Sequence, residues 1–266
     1  MPTRPADAWD SGEEYEPYVG RWSRLVADEF VRWLGVPPGG RWLDVGCGTG
    51  ALTEAILASA APLSVRGVDP SQGFVAYARR RLRDDRAAFD TAGAEALPDA
   101  DETYDAVVAG LVLNFLSQPQ RALPEFLRVA RRGATVGVYV WDYAGQMQML
   151  RAFWDAAAAL DPAASALDEG RRFPDCNPDA LTSLFRDASL ETVDVRAIDM
   201  PTEFGSFDDF WRPFLGGQGP APSYLASLDH EARTRLRDRL EAALPFAADG
   251  SIHLLARAWA VRGRRP

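Results

Sequence analysis

Apolar residues recur at helical spacing from about Tyr18 to Leu34, where Trp22, Leu25, Val26, Phe30 and Trp33 share one face. Pro37-Pro38-Gly39-Gly40 ends that segment. From Arg41 the pattern changes to short buried runs separated by amphipathic stretches. Trp42–Val45 reads as a buried strand, Ala51–Ala60 as a helix stopped by Pro62, and Leu63–Val68 as the next strand. Ser71 suits the N-cap of a helix to about Arg83, with Phe74, Tyr77, Ala78 and Leu82 on one face. Ala87–Thr91 and Tyr104–Ala109 read as the third and fourth strands, Arg121–Ala130 as a helix and Ala134–Trp141 as the fifth strand. Strands alternating with helices imply a parallel sheet with helices on both faces.

The last part of the chain departs from this alternation. Pro178–Ala188 has a helical pattern, and Leu190–Ile198 alternates as a sixth strand. Met200–Gly250 is an insertion holding Phe204, Phe207, Phe210, Trp211 and Phe214, then a helix with Leu228, Leu236, Leu240 and Leu244. Ile252–Val261 is a final strand; no crossover helix follows it, so it is expected to run antiparallel. The expected organisation is an N-terminal helical flap over 1–40, a core over 41–200 and 251–266, and a cap insertion over 201–250.

Composition narrows the setting. No apolar stretch of the 266 residues approaches the roughly 18 needed to span a membrane, and residues 1–12 show no secretory pattern. Two cysteines, Cys47 and Cys176, with Cys47 in a glycine-rich turn, argue against a disulfide framework and fit a reducing cytoplasm. A net charge of −9 makes nucleic acid a poor partner. The chain has no lysine; all its side-chain cations besides histidine are arginines. Arg79, Arg80, Arg81, Arg83 and Arg86 read as a solvated helix face, and Arg262, Arg264 and Arg265 as a frayed terminus.

The densest chemical signal is Leu43-Asp44-Val45-Gly46-Cys47-Gly48-Thr49-Gly50. A strand delivers the chain into a glycine turn that opens a helix. Glycines permit positive φ and close approach of a ligand, and the helix start offers free N–H groups and a positive dipole end. Asp69 ends the second strand, where an acidic side chain can accept hydrogen bonds from both hydroxyls of a ribose. This constellation reads as a nucleoside site. Taken alone it equally fits a dinucleotide-binding oxidoreductase, because Gly46-x-Gly48-x-x-Ala51 satisfies that fingerprint.

Asp44–Gly50 resembles motif I of the class I S-adenosylmethionine-dependent methyltransferases. Ala92-Gly93-Ala94-Glu95-Ala96-Leu97-Pro98 and Asp101-Glu102-Thr103-Tyr104-Asp105-Ala106-Val107 resemble that family's adenine loop and fourth strand, and the reversed last strand matches its ending. The resemblance is nearest to the branch that methylates small metabolites, such as ubiquinone and menaquinone methyltransferases. It implies an α/β Rossmann-like fold of seven strands, S-adenosylmethionine as cofactor, and methyl transfer to an O, N or C nucleophile of a small, partly apolar acceptor. Cofactor contacts are implied for Asp44, Gly46, Cys47, Gly48, Gly50 and Asp69, with Asp44 facing the methionine amino group. Gly93 stands where the family usually has the Asp that holds adenine, leaving the Ala94 backbone and Glu95 for that contact. Arg131-Arg132-Gly133-Ala134 replaces the family's Arg-Pro-Gly-Gly turn. The alternatives are an NAD(P)-dependent oxidoreductase and a non-catalytic nucleoside-binding protein.

Methyl transfer needs alignment and exclusion of water, and a base only if the acceptor must lose a proton. His253, at the start of the last strand, is the candidate base, with a structural role as the alternative; His230, in a polar helix start, reads as solvated. Asn114 and Asp142, each following a strand, are candidates for acceptor contact or for turn formation, as is Tyr143. Arg21 is a candidate for the cofactor carboxylate or for a surface ion pair. Strand direction places both ends of the insertion at the glycine-turn edge, so the cap is expected over the cofactor. Its aromatics would wall a substrate pocket or form a small core, and Gly216-Gly217-Gln218-Gly219-Pro220 would serve as its joint. No clustered His/Cys set or acidic cluster indicates a metal.

Overall fold

Five short parallel strands follow one another in the computed structural model, which describes residues 21–116, 118–216 and 219–266. They are β1 (Arg41–Val45), β2 (Ser64–Asp69), β3 (Ala87–Thr91), β4 (Tyr104–Gly110) and β5 (Ala130–Trp141). Helices α1 (Arg21–Leu34), α2 (Ala51–Ser59), α3 (Gln72–Arg81) and α4 (Pro119–Val129) precede or connect them. After β5 come α5 (Gln148–Leu160), α6 (Glu169–Arg172) and α7 (Pro178–Asp187), then β6 (Glu191–Phe204). The chain closes with α8 (Phe207–Trp211), α9 (Pro220–Ser227), α10 (His230–Ala243) and β7 (Ile252–Arg264). The sheet order is β3-β2-β1-β4-β5-β7-β6. β7 pairs antiparallel with β5, from Trp141 opposite Ala258 to Thr135 opposite Arg264. Arg257 bonds Asp199 and Arg262 bonds Asp194, five steps in opposite directions, so β6 also runs antiparallel to β7. This is the expected seven-stranded α/β architecture with its last strand reversed.

Packing divides the chain into two units. One comprises 23–141, 175–198 and 258–266 and holds the parallel strands. Its central strands are buried on both faces, as crossover helices require. α1 belongs to this unit: Phe30 and Tyr139 meet edge to face at 4.8 Å, and Gly137 leaves room for Leu34 and Phe30. The other unit comprises 142–174 and 199–257 among the described residues, together with Arg21 and Trp22. Thus Asp142–Pro174 packs with the insertion, and residues 23–40 with the parallel strands.

Within the second unit the aromatic residues of the insertion form a core. Phe214 stacks on Phe153 at 4.6 Å, Phe207 stacks on Trp211 at 6.1 Å, and Phe204 meets Trp22 at 5.3 Å and Phe210 at 5.2 Å. All are buried. The alternation of strands does not predict α5, which supplies Phe153 and Trp154 to this cluster. Gly217 and Gln218, the centre of the expected joint, lie outside the described residues.

The carboxyl-terminal arginines are not frayed. β7 runs to Arg264, which stands opposite Thr135 of β5, and the guanidinium groups find partners nearby. Arg262 bonds the Trp33 carbonyl and lies over the Trp33 ring at 4.5 Å, while Arg265 bonds the Ala130 carbonyl and pairs with Glu102 at 3.2 Å. Nor is the helical cluster merely solvated: Arg79 Nε donates to the Phe89 carbonyl at 2.9 Å, and Arg81 pairs with Glu54. Among the described residues no helix is long and apolar enough to cross a membrane, and no His/Cys/Asp/Glu group of three could hold a metal.

Phe30 is fully buried at the seam between α1 and β5. Phe30→Ala is expected to cost about 3–5 kcal/mol through lost transfer energy and the cavity left behind. Chemical denaturation followed by near-UV circular dichroism checks this; a loss under about 1 kcal/mol would mean the seam repacks around the gap.

Candidate functional site

The strand order reverses between β1 and β4, so their carboxyl ends diverge and open a crevice. The glycine turn fills the β1 side. Gly46, Gly48 and Gly50 all have positive φ, at 72°, 51° and 87°, which other residues adopt only with strain. The three glycines have different duties. A Cβ on Gly46 would meet Val112 Cγ2 at 2.3 Å, and one on Gly50 would meet Leu82 Cδ1 at 2.7 Å. A Cβ on Gly48 would meet nothing within 4 Å. Gly46 and Gly50 are therefore required by the protein's own packing, whereas Gly48 borders open space.

Two carboxylates are buried beside this turn. Asp44 is wholly buried; its Oδ2 accepts from Thr53 Oγ1 at 2.7 Å, and its Oδ1 has no hydrogen-bond partner. Burial pushes its carboxyl up to about 7, against the lowering effect of Thr53. Asp69 is buried at the end of β2, with Oδ2 accepting from Gly48 N at 3.0 Å and Oδ1 from Ser71 N at 2.8 Å. Burial raises its carboxyl too, and the two backbone donors oppose the rise. An ionised carboxylate has about four lone-pair sites, so both oxygens of Asp69 keep acceptor capacity while the backbone holds the group in place.

The segment 92–98 lies beside Asp69, since Ala92 N donates to the Asp69 carbonyl at 3.2 Å. It turns tightly, with Ala96 N bonding the Gly93 carbonyl at 3.3 Å. Ala94 is buried, and Glu95 is partly exposed with Arg121 at 3.9 Å. Two residues of α4 anchor the far end of the segment: Glu125 accepts from Leu97 N at 2.8 Å, and Arg128 donates to the carbonyls of Leu97 and Asp99 at 2.9 and 2.7 Å. Asp99 receives Tyr104 Oη at 2.6 Å and Arg66 at 2.7 Å. On the β4 side, Leu111 has φ of 61° and Val112 covers Gly46; Asn114 lies in a 3₁₀ turn, Leu113–Phe115.

Asp44, Gly46, Gly48, Gly50, Asp69, Ala94, Glu95 and Asn114 all belong to the unit of the parallel strands, and Asp69 is bonded to Gly48. Cys47 belongs to the turn without lining it. Its side chain packs in an apolar cluster with Val75, Ala78 and Phe89, and its N–H is taken by the Val68 carbonyl at 3.0 Å. Asp142 and His253 belong to the other unit. Asp142 caps its own turn, accepting from Gly145 N at 3.1 Å and Gln146 N at 2.9 Å, as the turn-forming alternative required. His253 is exposed by 57% at its side chain, with Ser251 Oγ at 2.8 Å and Glu203 at 3.7 Å. Arg21 begins α1, and its side chain lies outside the described residues. Sequence reasoning missed Thr53, Val112 and Glu125. Only Thr53 carried a signal, as a hydroxyl in the first turn of the helix that follows the glycines.

Residues 43–138 match the family model described as "Methyltransferase domain". A demethylmenaquinone methyltransferase of Renibacterium salmoninarum is 39% identical over 118 residues, 44% of this chain and 46% of that protein. The chain spans about half the length of the curated relatives it matches. Among solved structures, a phosphoethanolamine N-methyltransferase 2 of Haemonchus contortus in complex with S-adenosyl-L-methionine aligns with a TM-score of 0.60 at 14% identity, over 95% of this chain and 57% of that one. The [4+2]-cyclase SpnF aligns with a TM-score of 0.55 at 24% identity, over 92% and 80%. At these identities the structural likenesses speak for the fold.

The buried acid of β1 has a thermodynamic signature. Between about pH 4 and 7 the folded state keeps the Asp44 proton that the unfolded chain has released, so unfolding releases a proton and stability falls as pH rises. The slope is at most about 1.4 kcal/mol per pH unit. Asp44→Asn keeps an acceptor for Thr53 and cannot titrate. The stability difference between variant and wild type is therefore expected to grow from pH 4 to pH 7 and then level off, measured by urea titration. A difference independent of pH would show that Asp44 is ionised at its ordinary value.

Proposed function

We propose that residues 43–138, which match the model of a methyltransferase domain, are of the class I, S-adenosylmethionine-dependent kind, and that the chain transfers a methyl group from S-adenosylmethionine to a small, partly apolar metabolite. The observation that carries this reading is the open face of Gly48, with the Asp69 carboxylate tied to its N–H and the orphan Oδ1 of Asp44 buried just ahead of the same turn. The side chain absent at Gly48 leaves backbone exposed to a ligand, and the two acids suit different parts of that ligand. Asp69 presents acceptors to the ribose hydroxyls. Asp44 presents a carboxylate to the ammonium, whose charge would restore the ionised form that burial disfavours. The Ala94 backbone and Glu95 serve the adenine.

The sulfonium supplies a methyl group already activated for transfer. The chain's part is to bind, to orient and to exclude water. His253, flanked by Ser251 and Glu203, enters this reading as the candidate base, with Asn114 as a candidate acceptor contact. The name of the Renibacterium relative supports a small apolar acceptor. The methyltransferase-domain match over the glycine turn weighs against an NAD(P)-dependent oxidoreductase.

Incubation with methyl-labelled S-adenosylmethionine and a metabolite extract, followed by mass spectrometry, should yield labelled small molecules. Calorimetry should show S-adenosylhomocysteine binding, lost in Gly48→Val and weakened by about 1.5–3 kcal/mol in Asp69→Ala, the range for hydrogen bonds to a charged group. NADH binding without S-adenosylhomocysteine affinity would overturn the reading. His253→Ala should depress turnover while sparing cofactor affinity, and an unchanged rate would assign His253 to structure.

A further inference from the structure

The opposite edge of the sheet, where the parallel strands begin, holds a cleft of about 470 Å³. It is lined by the turn Val36–Gly40 ahead of β1, Asp105 near the start of β4, Arg131–Ala134 early in β5 and Arg264 at the end of β7. All of these belong to the unit of the parallel strands. The volume is that of a small-molecule site.

Its charges do not cancel. Asp105 is the one acid in the lining, and it is fully engaged: Oδ1 accepts from Arg131 at 2.7 Å and Oδ2 from Arg41 N at 2.8 Å. That pairing neutralises Arg131. Arg264 donates only to the Gly133 carbonyl, at 3.0 Å, and neither Arg264 nor Arg132 has a carboxylate within ion-pair distance among the described residues. Two exposed guanidinium groups are therefore left over at one cleft, in a protein whose net charge is −9. Two glycines of the lining border open space: Gly39 and Gly133 have φ of 82° and 73°, and a Cβ at either would meet nothing within 4 Å. Val36, Pro37 and Pro38 give the cleft an apolar wall.

We propose that this cleft is a second binding site, distinct from the glycine-turn crevice, for a phosphorylated small molecule. Its phosphate pairs with Arg132 and Arg264, whose planar forks match phosphate oxygens. Its flat organic part lies on the proline wall, which makes a nucleotide-like ligand the fitting class. The site requires no cofactor at the glycine turn.

The test is calorimetric titration with ADP, adenosine and pyrophosphate, in saturating S-adenosylhomocysteine so that the crevice cannot take the adenine. ADP is expected to bind with a Kd below about 1 mM, and more weakly as salt rises. Adenosine should not bind. Arg132→Gln combined with Arg264→Gln should weaken ADP about a hundredfold, roughly tenfold for each charge-assisted contact. Circular dichroism and the variant's own S-adenosylhomocysteine affinity, both expected unchanged, confirm its fold and report on the cofactor reading separately. Absence of saturable ADP binding, adenosine binding as tightly as ADP, or ADP binding undiminished in the double variant would each overturn the proposal.

Discussion

Burying two carboxylates beside one turn of open backbone is the constraint on which the rest of the site depends. Charge placed away from water is costly unless hydrogen bonds or an opposite charge compensate it. Asp69 obtains its compensation from Gly48 and Ser71, and those same bonds fix the glycine turn against the end of β2. Asp44 obtains its compensation from Thr53, through hydroxyl and backbone, and burial still raises its carboxyl. The proposed cofactor, with its ammonium and its ribose hydroxyls, would offset that cost.

The walls of the turn arise from the same geometry. Gly46 admits Val112 because it has no side chain, and Val112 arrives there because Leu111 takes a left-handed conformation directly after β4. Strain at a bulky residue persists only where its surroundings over-determine it. Here the Leu111 N–H is bonded to the Tyr139 carbonyl at 2.8 Å, which ties the end of β4 to β5. The crevice is thus shaped by contacts among three strands that are far apart in sequence.

Arginine supplies the other recurring device. With no lysine in the chain, planar guanidinium groups tie neighbouring elements together by donating to main-chain carbonyls: Arg79 to Phe89, Arg128 to Leu97 and Asp99, Arg262 to Trp33, Arg265 to Ala130. A fork of five donors can satisfy a carbonyl and a carboxylate at once, which an ammonium does less well. The second cleft differs because Arg132 and Arg264 have no carboxylate within ion-pair distance among the described residues.

Local chemistry was legible from the chain alone. Gly46, Gly48 and Gly50 demand positive φ over a few residues, Asp69 must end the next strand, and alternation marks β1 to β5; none of this needs distant partners. The reversed β7 was expected from the resemblance to a family whose last strand runs back. Tertiary structure decided everything that rests on contacts across long sequence separation. It assigned Phe207, Trp211 and Phe214 to a core shared with α5, turned Asp142 inward to cap its own turn, drew the Cys47 side chain into an apolar cluster and ordered the terminal arginines along the sheet. A pattern of residue types states what each side chain needs, a charge partner, a donor or an apolar neighbour. Only the folded chain determines which residue, often more than a hundred positions away, meets that need.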